Sequence, residues 1–451
     1  MRIVMSHEDL SSYGGTETYM LTVAVELQRR GHQVTLFAHE LGVVAAEARG
    51  QGIAVTDEES RLPATCGLVL AQDAGSAFVM AARYPGARRL FVAHSDFHAL
   101  QSPPQLDGVC DAVVVMNERT GRFVGDLAHA PPVVRLEQPL DLRRFAPRGP
   151  SRTEPRTALL LGNYLRGPLV EALEAACRAA GLEPVQAGVH ATATATPEEA
   201  IAQADVVIGL GRCIVEAMAC ERGAYVYGLA GGDGWVTPER YAALAADGFA
   251  GGATDDVLGP ARITADLRAW TPEMGPANRL LASAHHNVYD HVHGLLALAD
   301  DAPGPHEPPT QAAELARLVR LQWQTSSEYF GALEALRELR EALRTQEAEA
   351  ERAHAAAHDA LVLAHRRENA EAERDEAVSA LTGTRAELAG ARAELADARA
   401  ELAGARAELA GARAELERMR EQDAALRQTR RFRVARGLAA PVDAARRRLR
   451  G

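Results

Sequence analysis

Short, almost wholly apolar runs recur through the first 300 residues, each followed by a segment with helical spacing. RIVMS, QVTLFAH, GLVLAQ, RLFVAH and AVVVMN come first, and TALLLGN, PVQAG, DVVIGL and AYVYGL follow. Such runs are strands buried on both faces, and strands alternating with helices make a parallel α/β fold. The first strand is expected to end at Ser6. The segment beyond it carries Met20, Val23, Ala24 and Leu27 at helical spacing and closes at Arg29-Arg30-Gly31, with cations in the last turn and a glycine suited to a left-handed cap. Residues 143–155 (RRFAPRGPSRTEP) are rich in Pro and Arg and poor in apolar positions, which marks a boundary. Two doubly wound units are expected, residues 1–148 and 149–302, with ligand beyond the carboxyl ends of their strands.

The pattern then changes. Residues 303–310 form a Pro-rich linker, and 311–428 contain no Pro and much Ala, Glu, Arg and Leu at helical period. Between Arg385 and Glu417 the unit RAELAGA repeats every seven residues. Taking Leu388, Leu395, Leu402 and Leu409 as a and Ala391, Ala398, Ala405 and Ala412 as d gives an apolar seam, with Arg392, Arg399 and Arg406 at e and Glu394, Glu401 and Glu408 at g. Each Glu precedes the next Arg by five residues, a poor spacing within one helix and the favourable one across a parallel dimer. A parallel homodimer is therefore expected, against a solvated single helix. Gly390, Gly404 and Gly411 at c each cost about 0.8–1 kcal/mol relative to Ala. As one rod the segment would reach on the order of 150–180 Å. Residues 429–451 form a basic tail with Phe432 as its one aromatic, read either as peripheral contact with an anionic membrane or as a disordered tail.

Composition narrows the class. The 451 residues carry a net charge of -12, which argues against a nucleic-acid partner. There is no run of about 18 apolar residues, and Glu8 and Asp9 interrupt any signal-peptide layout, so a cytoplasmic protein is expected, either free or peripheral at the inner membrane face. The five cysteines are scattered and form no CxxC pair, which reads as free thiols.

Three places carry candidate chemistry. Gly14-Gly15 before the first helix is either a tight βα turn or a loop whose amides approach an anion. Gly209 and Gly211 form a Gly-x-Gly turn ahead of a helix bearing Glu216, which reads as an acceptor for ribose hydroxyls or as a solvated helix-start carboxylate. The loop at 231–238 (GGDGWVTP) reads as a turn or as a source of sugar contacts. His285, His286, His291 and His293 with Asp290 fall in one expected helix and read as surface or core residues rather than a metal site.

With Gly14-Gly15-Thr16-Glu17, His94 in FVAHSD, AVVVMNERT, EQPLDLRRFAP and VEAMAC in this order, residues 1–300 resemble the family-4 retaining glycosyltransferases of the GT-B fold. The resemblance implies two Rossmann-like domains, followed here by a coiled coil. It implies a nucleotide-diphosphate sugar as donor substrate with no metal and no other cofactor, and a hexose moved to a bacterial surface glycan or glycolipid. Gly14 and Gly15 would lie near the donor diphosphate and acceptor, Glu216 would bind the ribose, and His94 would contact the sugar near the reacting carbon. Two positions depart from the pattern. Ile208 stands where the first of the family's paired glutamates is expected, and of its Arg–Lys diphosphate clamp only Arg166 is present, with Arg212 as substitute. The alternative is a catalytically degenerate GT-B domain serving as a scaffold or tether.

Overall fold

In the computed structural model, residues 1–96, 101–128, 131–148, 153–188, 196–228, 231–254, 258–301, 307, 309–365 and 371–428 are described. The apolar runs form two separate sheets. The first contains β1 (Arg2–Leu10), β2 (Gln33–Leu41), β3 (Ala54–Thr56), β4 (Leu68–Ala71), β5 (Arg88–Ala93), β6 (Ala112–Val115) and β7 (Val133–Arg135). Its order is β3-β2-β1-β4-β5-β6-β7 and every described pair is parallel. Strand β4 is buried at all four positions, so neither of its faces is left to solvent. The connecting helices are α1 (Gly15–Arg29), α2 (Val43–Gly50), α3 (Ala74–Arg83) and α4 (Glu118–Gly125). Asp73 and Asn117 cap α3 and α4 by accepting from the amides of Ser76 and Thr120, as short polar side chains do at helix starts.

The second sheet contains β8 (Thr157–Leu161), β9 (Glu183–Ala187), β10 (Val206–Gly209), β11 (Gly223–Gly228) and β12 (Gly231–Trp235), ordered β12-β11-β10-β8-β9. Its helices are α5 (Pro168–Ala180), α6 (Pro197–Gln203), α7 (Arg212–Ala219), α8 (Pro238–Asp247), α9 (Pro260–Arg268) and α10 (Met274–His285). Two Rossmann-like domains are thus present, as the alternating pattern predicts.

Four readings change. β1 does not stop at Ser6; β2 runs beside it as far as Leu41, and the buried Glu8 meets His39 of β2 at 2.9 Å. Much of the 231–238 loop is a strand: β12 pairs antiparallel with β11, and Asp233 turns inward to accept from the amides of Ala253 and Thr254. The histidine-bearing helix breaks after α10, and Leu140 exchanges backbone hydrogen bonds with His286 and Val288 before α11 (Val288–Asp301) begins. That last helix falls within the stretch read as the second domain, yet Val288, Val292, Leu295 and Ala299 belong to the first sheet's core. The chain crosses back because α1 offers it an apolar face.

The long helices also differ from the expectation. α12 (Ala312–His365) starts inside the first compact unit, residues 1–320, where Ala312, Ala316 and Val319 pack in the core on the other face of the first sheet. In the second unit, residues 321–451, α13 (Glu371–Gln428) runs antiparallel to the rest of α12. Leu336 packs with Leu402, Thr325 meets Met419 at 3.8 Å, and His354 lies 3.4 Å from Arg392. The segment is therefore a hairpin and not one rod, and the seam read as joining parallel copies is met by α12 of the same chain. A partner tethered in the same chain has a high effective concentration. No described helix is long and apolar enough to cross a membrane. The basic tail, 429–451, lies outside the described residues.

Candidate functional site

Open α/β sheets bind ligands where the strand order reverses, beyond the carboxyl ends of the strands. In the first sheet that point lies between β1 and β4, and in the second between β8 and β10.

At the first point the strand ends carry charge. His7, 1% exposed, faces Asp73 Oδ2 at 3.2 Å through Nδ1 and Glu17 Oε1 at 3.3 Å through Nε2. Burial alone lowers the imidazolium pKa, but hydrogen bonds and the charges of Asp73 and Glu17 outweigh it and raise the pKa to about 9. Both ring nitrogens carry protons and both face carboxylates, so His7 acts as a fixed cation and not as a base.

Glu17 lies in the first turn of α1, and its carboxylate folds back over Gly14, where a Cβ would collide with it. The positive end of α1 thus faces a carboxylate of its own helix. Gly15 borders open space instead, with nothing within 4 Å of where a side chain would begin.

His94 follows β5 and is half-buried. Its Nε2 lies 2.6 Å from Gln72 Oε1, and its ring meets Tyr19 edge-on at 4.9 Å. Burial, then the charges of His7, His291 and Arg212, lower its pKa to about 3. The ring is neutral, and with Nε2–H given to Gln72 its Nδ1 is left as an acceptor. It is suited to receive a hydroxyl hydrogen bond and unsuited to remove a proton.

The second domain supplies Arg212 and Glu216, on successive turns of α7. Arg212 Nε donates to Glu216 Oε1 at 2.8 Å, Nη1 to the Pro139 carbonyl at 3.3 Å and Nη2 to Thr22 Oγ1 of α1 at 3.2 Å. Burial raises the Glu216 pKa, with Arg212 opposing the shift, and burial lowers that of Arg212. His94, against Tyr19, and the Arg212–Glu216 pair, through Thr22, are far apart in sequence but both reach α1, and α7 is tied directly to that helix.

The glycines of the second point serve packing. A Cβ on Gly209 would stand 2.5 Å from both Cys213 Sγ and the Leu161 carbonyl oxygen. Gly211 takes φ 62°, a left-handed conformation that favours glycine, and its amide donates to the Phe249 carbonyl at 2.8 Å. Arg166 is exposed in the turn before α5, while Tyr164, two residues earlier, turns inward.

His286 and His291 have structural work. Nδ1–H of each donates to a backbone carbonyl just after β7, Gln138 at 2.9 Å and Glu137 at 2.8 Å, and Nε2 of each accepts from Tyr241 or Tyr19 at 2.9 Å. Burial lowers both pKa values to about 4. Asp290 and His293 are exposed on α11.

Sequence reasoning did not find the His7–Asp73–Glu17 group or the inward turn of Tyr164. The available signal was polar residues at the ends of two strands flanking the first switch point, in MSHED and LAQDA. Chemically, this end of the fold offers a largely buried cation, Arg212, paired with the Glu216 carboxylate, and a neutral hydrogen-bonding ring, His94.

No family model matches the sequence, and no curated protein matches it. Among solved structures, glycosyltransferases recur over 66% of this chain. They include a glycosyltransferase from Rickettsia africae at 12% identity, covering 98% of that chain with a TM-score of 0.46. Anabaena Alr3699/HepE in complex with UDP and glucose is similar at 12% identity over 99% of that chain, TM-score 0.49. WaaG, a glycosyltransferase of lipopolysaccharide biosynthesis, is similar at 11% identity over 100% of that chain, TM-score 0.43. Likeness at this level carries no argument about activity, which rests on the site.

Proposed function

We propose that residues 1–320 bind a nucleotide-diphosphate sugar and transfer its sugar, a hexose-type unit, with retention to a glycan or glycolipid acceptor of the bacterial surface. The observation that carries this reading is that α1 is met from both sides, by His94 after β5 against Tyr19 and by the Arg212–Glu216 pair of α7 through Thr22. In such a transfer the leaving group is a nucleoside diphosphate, so the need is for positive charge at the phosphates and a positioned sugar rather than a strong acid or base. Arg212 is the cation so placed, Glu216 the acceptor for ribose hydroxyls, and His94 a hydrogen-bond acceptor for the sugar. Gly14 and Gly15 would admit the acceptor, Gly209 and Gly211 shape the donor turn, and Arg166 stands at the rim. The resemblance to family-4 enzymes supports retention. Cytoplasmic location, association of two copies through the helical hairpins and contact of residues 429–451 with an anionic bilayer belong to the same proposal.

A second reading is favoured by different observations. Ile208 is buried where a carboxylate would meet the donor sugar, Glu216 is already paired with Arg212, and Glu17 covers Gly14. A domain with these contacts satisfied internally suits a scaffold whose hairpin supplies the function.

A thermal-shift screen of the full chain against UDP, GDP, ADP and TDP sugars separates the two. Free ligand at about 100 times its dissociation constant stabilises by roughly 2.7 kcal/mol. A shift with one nucleotide, lost in Glu216→Ala, is expected. No shift with any donor would leave the scaffold reading standing.

A further inference from the structure

Three strands of the second sheet end in or beside glycine: Gly162 after β8, Gly209 in β10 and Gly228 in β11. One side chain reaches all three. A Cβ on Gly162 would stand 2.7 Å from Tyr164 Cε1, one on Gly228 2.9 Å from Cε2, and one on Gly209 3.4 Å from the hydroxyl. Together with Leu210 over Gly228 and Cys213 over Gly209, the ring fills the space over the carboxyl ends of β8, β10 and β11, the switch point at which a ligand is expected. Its hydroxyl is buried with the Leu210 backbone amide nearby but makes no hydrogen bond of good geometry, an arrangement that disfavours this position of the side chain. Glycine brackets the turn that carries it, at Gly162 and at Gly167, where φ is 59°. Backbone change at the two ends would swing the ring without disturbing β8 or α5.

We propose that Tyr164 is an internal plug of the second domain's crevice, which a nucleoside diphosphate must displace in order to bind. The proposal rests on the nucleotide-sugar reading above and adds what controls entry to the site. When the competent state is a fraction of the population, apparent affinity falls by that fraction. Removing the ring therefore tightens binding. Removing only the hydroxyl relieves the plugged state of its poorly paired group and weakens binding.

Calorimetric titration of UDP, GDP, ADP and TDP into the full chain, Tyr164→Ala and Tyr164→Phe tests this, with circular dichroism melts to verify folding. The expected result is at least tenfold tighter binding of one nucleotide by Tyr164→Ala and weaker binding by Tyr164→Phe. Tyr164→Phe keeps the ring and the packing, so its arm remains informative even if the alanine variant does not fold. Binding by the native chain that neither variant alters, or that Tyr164→Ala weakens, would overturn the plug and leave the donor site intact. Binding seen only after Tyr164→Ala would support it most strongly. No nucleotide binding by any of the three would overturn the plug together with the donor reading.

Discussion

Replacing Arg212 by alanine should destabilise residues 1–320 by about 3–5 kcal/mol, because it strands a buried carboxylate. Glu216 is 6% exposed at its side chain and Arg212 14%, so neither end of the pair has water to fall back on. The same change removes the donor to Thr22 and to the Pro139 carbonyl, and with it a direct polar tie between α7 and α1. Urea denaturation of Arg212→Ala, Glu216→Gln and the double variant measures the coupling. The double variant should recover much of the loss, since an uncharged amide no longer needs the cation. Simple addition of the two single effects would mean that the contact is incidental. The same guanidinium is the proposed phosphate contact. Donor binding then requires Arg212 to exchange Glu216 for a phosphate oxygen, which frees Glu216 for ribose hydroxyls.

The second large effect is on pH dependence. His7 has a folded-state pKa of about 9 against 6.5 for the free side chain. A raised pKa means that the folded protein holds the proton more tightly than the unfolded chain. The stabilisation is thus fully present below about pH 6.5 and lost as pH rises through 9. A shift of this size corresponds to about 3 kcal/mol. Chemical denaturation at pH 6, 7.5 and 9.5 should show the decline. In Asp73→Asn, which keeps an oxygen to cap α3 while removing the charge, the decline should be smaller and end at lower pH. An identical pH profile in that variant would show that the His7–Asp73 contact does not govern stability. If acceptor entry uses this end of the sheet, the fixed charge of His7 also keeps Glu17 folded over Gly14.

Much of the architecture could be read along the chain, because burial on both faces leaves a continuous apolar run in RIVMS or DVVIGL, and its shortness and β-branched content separate it from a buried helix. The capping glycine at 31, the Pro-rich break after α11 and the helical period beyond it are likewise local signals. Chain crossings were not legible. That α11 belongs to the first core, and that the first turns of α12 cover the other face of the same sheet, depends on which apolar surface lies nearest after folding. The heptads of α13 called for a partner with a matching seam. They did not specify whether that partner would come from a second copy or from α12, since either presents leucines at similar intervals.

The candidate site divides in the same way. His94, Arg212 and Glu216 were visible as residues at strand and helix ends, where side chains leave the sheet and face ligands. Their mutual distances, the neutrality of His94 and the pairing of Arg212 with Glu216 follow from burial and from charges contributed by other elements. Tyr164 shows the limit most clearly. By itself GNYLRG is a polar turn, and only three glycines from three strands make the space that draws its ring inward. The sequence by itself determined which segments are buried strands, where helices start and stop, and which side chains stand at their ends, since these depend on neighbours within a few residues. Tertiary structure decided which of those ends meet and which are already filled, because long-range packing and low-dielectric electrostatics act between residues that the linear pattern keeps apart.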